Sequence, residues 1–458
     1  MRKLLWILTI LIFVMACNDD EPLPTPTITT YQDPEPYGVP FQNTPEIEDI
    51  VMYEVNLRAF SPANFAGVES RLDSIKALGV NVIWLMPITP IGEERSVGQL
   101  GSPYSVKNYK EVNPEFGDMD DLRSFVDAAH DRDIAVITDW VANHTSWDNP
   151  WMNKTSWYTK DANGNVVHPP GTNWLDVADL NFENEAMRKE MIRAMKFWIL
   201  TANIDGFRCD YADGVPFDFW RDAIDTLRAM EDRNLILLAE GVRNDHYSAG
   251  FDMTYAWDFY GKLKSIFENN ENARNIFVTN SAEYGSIPDG KHKLRFTTNH
   301  DETAWDAPPT QIFGNAEGSI AAFVATTFLQ GVPLIYTGQE VGVDVNMPFF
   351  SRYPVNWTMN PSMFQEYKDL MSVYTNAEVA RTGTITTLVN NNNDIIGFKK
   401  VKNGDEMLFF INTRDNAVTY ALPSSVQNTT WTNSMDNSNT LLNTDITLNA
   451  YEYLILEN

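Results

Sequence analysis

From Ile50 onward, short apolar runs alternate with amphipathic stretches, and this alternation restricts the possible folds more than any other feature. The runs cover residues 50–55, 80–85, 134–137, 204–208, 235–238, 251–255, 293–297 and 332–336. Each is short and rich in Val, Ile, Leu or aromatic residues, as a strand buried on both faces must be. Between them, apolar residues recur with a helical period. Leu72, Ile75 and Leu78 share one face of a helix predicted over 68–78, which Gly79 ends. The same pattern predicts helices over 122–130, 187–200 and 217–230. Eight strand candidates separated by helical segments predict an α/β fold, a closed (β/α)8 barrel over residues 46–379.

Two regions depart from the alternation. More than forty residues with little helical period separate the third strand from the helix at Met187, and they hold Trp147, Trp151, Trp157 and Trp174. Irregular connections of this length usually serve function; residues 145–183 are expected to form a subdomain inserted over the barrel mouth. Beyond about Ala380 the helical period stops. Runs at 394–399, 406–411, 418–422 and 451–455 are separated by Asn, Gly and Asp turns, which predicts a C-terminal all-β sandwich over 380–458.

Side chains at the C-terminal ends of barrel strands face the active site. Here those ends read Thr138-Asp139-Trp140-Val141-Ala142-Asn143-His144, Gly206-Phe207-Arg208-Cys209-Asp210, Ala239-Glu240-Gly241 and Asn299-His300-Asp301. Acids at separate strand ends, one of them two residues from an Arg, suit glycoside hydrolysis, which needs one carboxylate as nucleophile and another as proton donor. A lone Asp at a strand end would mean little; four such endings in chain order mean much more. Cys209 alternates away from the site and is expected to be a buried, inert thiol.

These endings resemble the four signature regions of the α-amylase superfamily of glycoside hydrolases. So do Ser102-Pro103-Tyr104-Ser105-Val106-Lys107-Asn108-Tyr109 and Asn113-Pro114-Glu115-Phe116-Gly117, and the resemblance runs from about Ile47 to the C-terminus. It implies a barrel, an inserted B domain after strand three and a C-terminal sandwich. It also implies an α-glucan or maltooligosaccharide substrate and no cofactor for the chemistry. Matched residue by residue, it makes Asp210 the nucleophile, Glu240 the general acid/base and Asp301 the transition-state stabiliser. His144, His300 and Asn299 would contact the sugar, Tyr104 would stack on its ring, and Trp305 is a candidate for a further sugar platform. Arg208 belongs to the same substrate site and is expected to hold Asp210 ionised, since a guanidinium lowers a neighbouring carboxylate's pKa.

Asn143 and Asp179 match two calcium ligands of that family, and oxygen donors suit Ca²⁺. Where the family often has Lys-His, however, this chain has Asp213-Gly214, which puts the calcium site and the leaving-group subsites in question. Asp179-Leu180-Asn181 resembles oligo-1,6-glucosidases as much as plain α-amylases. The competing readings are an oligo-1,6-glucosidase, a cyclomaltodextrinase, a transglycosylase and, outside catalysis, a glycan-binding surface lipoprotein. The intact acids argue against the last.

The charge balance, 34 Lys+Arg against 62 Asp+Glu for a net −28, argues against nucleic acid as a partner. At the N-terminus, Met1-Arg2-Lys3 precedes an apolar run from Leu4 to Met15, too short to span a bilayer. Val14-Met15-Ala16-Cys17 then resembles a bacterial lipoprotein signal, with residues 1–16 removed and Cys17 lipidated. Residues 17–45 hold seven prolines, from Pro22 to Pro45, and read as an extended tether. The expected location is outside the cytoplasm on a lipid anchor, the outer membrane being the candidate, with the cell surface suggested by the acidic Asn18-Asp19-Asp20-Glu21.

Overall fold

The computed structural model describes residues 31–388 and 392–458. Eight parallel strands close into a barrel: β1 Met52–Val55, β2 Val82–Leu85, β3 Ala135–Val141, β4 Gly206–Asp210, β5 Ile236–Ala239, β6 Met253–Tyr255, β7 His292–Arg295 and β8 Val332–Tyr336. They follow one another around the ring in chain order, and β8 closes on β1 through Met52↔Leu334. Almost every strand residue is buried, because the inward side chains fill the barrel and the outward ones meet a layer of helices. Helices 119–130, 185–202 and 217–228 lie where their periodicity predicts. The first predicted helix is instead two short ones, Phe65–Glu69 and Leu72–Lys76. At Gly206, φ is +149°, and a Cβ there would lie 1.9 Å from the Ile236 carbonyl oxygen, so only glycine lets β4 and β5 approach.

The connection after β3 contains an antiparallel ribbon, His144–Ser146 against Val177–Asp179, and two 3₁₀ turns, Pro150–Asn153 and Thr155–Trp157. The C-terminal region is all β. Six strands, β9 Thr384–Thr387, β10 Ile395–Lys402, β11 Asp405–Asn412, β13 Thr429–Asn433, β14 Asn439–Leu442 and β16 Tyr453–Glu457, form one antiparallel sheet in the order β9-β10-β11-β16-β13-β14. A second layer pairs β12 Val418–Ala421 with β15 Asp445–Leu448. Leu408, Phe410, Tyr420, Trp431 and Leu448 share the core between the layers.

One expectation is corrected. The Pro-rich segment is not a free tether throughout. From Pro34 on it belongs to the same compact unit as the barrel. The Tyr37 amide donates to the Leu200 carbonyl at 2.7 Å, and the Phe41 ring stacks on His130 at 4.3 Å. Proline forbids regular structure here, but the aromatic side chains between the prolines still gain by burial.

Candidate active site

The strand register builds the site. Asp139 stands opposite Arg208, and Arg208 opposite Leu238, so side chains two residues further along β4 and β5 face the same way. Asp210 therefore stands beside Glu240, which follows the last residue of β5. The Arg208 guanidinium, fully buried, lies beneath all of them. Its Nη1 donates to both oxygens of Asp139 at 2.9 and 3.0 Å and to Asp210 Oδ1 at 3.1 Å. Its Nε donates to the Tyr255 hydroxyl at 3.1 Å. Nη2 stands 2.9 Å from Glu240 Oε2, but with no N–H well aligned on it. That oxygen instead accepts the Tyr211 amide at 2.7 Å.

A second cation completes the arrangement. Asn299 caps the helix His300–Trp305, its Oδ1 accepting from the amides of Asp301 and Glu302. This cap fixes His300 and Asp301 in the first turn. His300 Nδ1 lies 2.5 Å from Glu54 Oε1, and Nε2 lies 2.8 Å from the Tyr104 hydroxyl and 3.5 Å from Asp301 Oδ2. Burial disfavours charge on the ring, but the Asp301 and Glu54 carboxylates outweigh it and raise the imidazole to about 9. Burial alone takes His144 the other way, to about 4, so that ring is neutral at pH 7.

The carboxyl groups compete for limited positive charge. Burial pushes Asp210 well above the usual carboxylate range; Arg208 opposes this, but the charges of Glu240 and Asp139 add to it. Glu240 is raised for the same leading reason, with Asp301 adding to burial. Arg208 does lower Asp210, as expected, but its one charge is divided among Asp139, Asp210 and Glu240 and does not outweigh burial. Arg208 and His300 are outnumbered by the carboxyls of Glu54, Asp139, Asp210, Glu240 and Asp301, so the cluster favours retaining a proton at neutral pH.

Above the carboxyls opens a cavity of about 490 Å³. Asp210, Glu240, Asp301, Tyr104, His144 and His300 all line it. Trp305, 64% exposed, lies on its rim against Phe349 and Phe350. Two expected sugar contacts do not line the cavity: Arg208 lies beneath the carboxylates, and Asn299 is fully buried with its Oδ1 on the helix cap. Asn143 and Asp179 come close, since His144 pairs with Asp179 across the ribbon. However, the Asn143 amide lies 3.3 Å from His144 Nδ1, and among the described residues no three His, Cys, Asp or Glu side chains gather in a way that could hold a metal. Asp213 and His246 form a 2.7 Å pair instead of the missing Lys-His. Cys209 is buried with a free thiol, as expected. Sequence reasoning missed Glu54, Tyr255 and Trp84. Glu54 had left a signal, a carboxylate within the apolar run Val51-Met52-Tyr53-Glu54-Val55.

A closed parallel barrel with carboxyls gathered over one guanidinium at its open face defines a glycoside hydrolase. The family model for the α-amylase catalytic domain matches residues 38–167 and 172–386, and the chain belongs to that family. It is similar to α-amylase 3 of Dictyoglomus thermophilum, at 28% identity over 71% of each chain. Among solved structures it resembles an α-amylase from Lactobacillus plantarum, at 26% identity and a TM-score of 0.81, covering 90% of this chain and 99% of that one. A maltogenic α-amylase from Thermotoga neapolitana, described as noncanonic, has the same TM-score and coverage at 27% identity.

Proposed function

We propose that the protein hydrolyses α-1,4-glucosidic bonds of starch-like glucans or maltooligosaccharides with retention of configuration. The observation that carries this reading is the placement of Asp210 and Glu240 on adjacent nitrogens of one guanidinium, with Asp301 beside an imidazolium across the same cavity. Burial raises both carboxyls, Asp210 the further, but the aligned Arg208 hydrogen bond goes to Asp210 alone. On that geometry we assign the charge to Asp210 and the shared proton to Glu240, whose Oε2 is occupied by the Tyr211 amide and whose Oε1 is left to carry it.

Asp210 attacks the anomeric carbon as the C–O bond to the leaving sugar breaks, and Glu240 gives its proton to the departing oxygen. A β-linked glycosyl ester on Asp210 results. Glu240, now ionised, takes a proton from water; that water attacks the same carbon and releases Asp210 and an α-anomer. Asp301 stabilises the positive charge on the sugar in both steps. The neutral His144 and the charged His300 bind its hydroxyls, with Tyr104 beneath the ring. No step needs a metal. A Ca²⁺ held by Asn143 and Asp179 would draw its other oxygens from backbone carbonyls and water; the Asn143 side chain lies instead against His144 Nδ1, and we assign no resident calcium to the pair.

Export on a lipidated Cys17 is part of the proposal. It rests on Val14-Met15-Ala16-Cys17 and the apolar run before it; these residues lie outside those the structure describes. Product analysis on amylose, pullulan, isomaltose and cyclodextrins tests the activity. Cleavage of amylose to α-anomers with little action on isomaltose supports it. Preference for isomaltose or for cyclodextrins would replace it with a 1,6-glucosidase or a cyclomaltodextrinase, and binding without turnover with a glycan-binding protein.

A further inference from the structure

Tyr211, the residue after Asp210, has a left-handed backbone, φ +40° and ψ +48°. A residue with a bulky ring rarely adopts this conformation, and where it does, the surroundings must impose it. Three features do so. The Tyr211 amide is held by Glu240 Oε2 at 2.7 Å. The next turn is clamped to the segment after Glu240: the Asp213 carboxylate accepts from the Val242 amide at 3.1 Å and lies 2.7 Å from His246 Nε2, while the Asp213 carbonyl accepts from Arg243 Nη1 at 2.9 Å. Finally, the Tyr211 ring folds over Gly214. A Cβ at 214 would lie 2.4 Å from Tyr211 Cε1, 2.5 Å from Cδ1 and 2.7 Å from Asn143 Oδ1, so a side chain there must displace the ring and press on Asn143.

The ring is 36% exposed, lines the cavity and meets the edge of Trp174 at 5.0 Å. Tyr211 stands on the Glu240 side of the cavity, its amide on Glu240 Oε2, and Trp174 reaches from its ring to His144, whereas Tyr104 and Phe349 stack around His300. Glu240 protonates the departing oxygen, so its side is where the leaving sugar sits. Resting on the hydrolase reading above, we propose that Tyr211 is a specificity-determining residue, an aromatic wall for a leaving or accepting glucose unit, and that Gly214 is the residue that lets it stand there. Asp213-Gly214 thus has its own purpose: the acid fixes the turn and the glycine makes room for the ring.

The test removes the proton-transfer step so that only the contact is read. Glu240→Gln should bind glucan without turning it over, and the measured quantity is its Kd for maltotetraose by calorimetry. Losing one aromatic contact should weaken binding about 3- to 10-fold in Glu240→Gln/Tyr211→Ala, with Glu240→Gln/Tyr211→Phe close to Glu240→Gln itself. Gly214→Ala in the same background, which displaces the ring and presses on Asn143, should weaken binding in the same direction. An unchanged Kd in the Tyr211→Ala variant overturns the proposal, because a residue that only held Glu240 would have no sugar contact to lose. Wild-type protein that turns over no maltooligosaccharide would instead overturn the hydrolase reading itself.

Discussion

Replacing Arg208 with Met keeps most of the side chain's length and removes the charge on which the site is assembled. Asp139, itself fully buried, would keep only Trp84 Nε1 at 3.2 Å and the Tyr104 hydroxyl at 3.0 Å among its side-chain partners. Removing one partner of a buried ion pair costs roughly 3–5 kcal/mol, a large share of the 5–15 kcal/mol typical of a folded domain. The folded variant can relieve part of this by protonating Asp139 or Asp210, whose pKa values rise further without the guanidinium. The folded state then binds more protons than the unfolded chain, so stability falls as pH rises above the ordinary carboxylate range. Each pH unit adds about 1.4 kcal/mol per carboxyl protonated in the variant but ionised in wild type, so between pH 5 and 7 the penalty should grow by roughly 3 kcal/mol for one such additional proton. Urea unfolding followed by tryptophan fluorescence at pH 5 and 7, for wild type and variant, measures both quantities. A loss below about 1 kcal/mol at pH 7, or a loss independent of pH, would refute the electrostatic argument.

Other outcomes follow from the same geometry. Glu240→Gln keeps the shape but cannot donate a proton, and turnover on maltooligosaccharides should fall roughly 10²–10⁴-fold while glucan binding persists; near-normal turnover would mean the acid is elsewhere. Chelator should leave the melting temperature unchanged, and elemental analysis should find no calcium, because a ligand bound only to the folded state would otherwise stabilise it; a drop in melting temperature would restore a site at Asn143 and Asp179. Cys17→Ser should shift the protein from the membrane fraction to the soluble fraction, since the lipid supplies the anchoring; a variant still bound to membrane would refute the anchor.

Most barrel strands stand out in the sequence because strands buried on both faces favour apolar runs; β4 and β7 stand out least, since Arg208, Lys293 and Arg295 are buried within them. Their ends are less visible. β3 continues to Val141, past polar Thr138 and Asp139, because β4 pairs with it as far as Val141↔Asp210. The strands β9, β13, β14 and β15 are rich in Thr and Asn and partly exposed, so no apolar pattern marks them. Asp139, Asp210 and Glu240 are legible because each stands at or near a strand end; Asp301 stands beyond β7, in the first turn of the helix that Asn299 caps. Glu54, Trp84 and Tyr255 lie far apart in the chain and are brought together only by closure of the barrel. Adjacency also misleads: Asn299 stands next to two cavity residues, yet it is fully buried and its Oδ1 accepts from the helix backbone.

The central claim is that Asp210 carries the sugar between the two halves of the reaction. A 5-fluoro-α-glucosyl fluoride slows the second half more than the first, so the ester should accumulate and survive digestion. Mass spectrometry of the peptides should then find one fluoroglucosyl group on Asp210, and none on that peptide in Asp210→Asn. A label on another residue, or a β-anomer released from maltooligosaccharide with no label anywhere, would contradict the assignment.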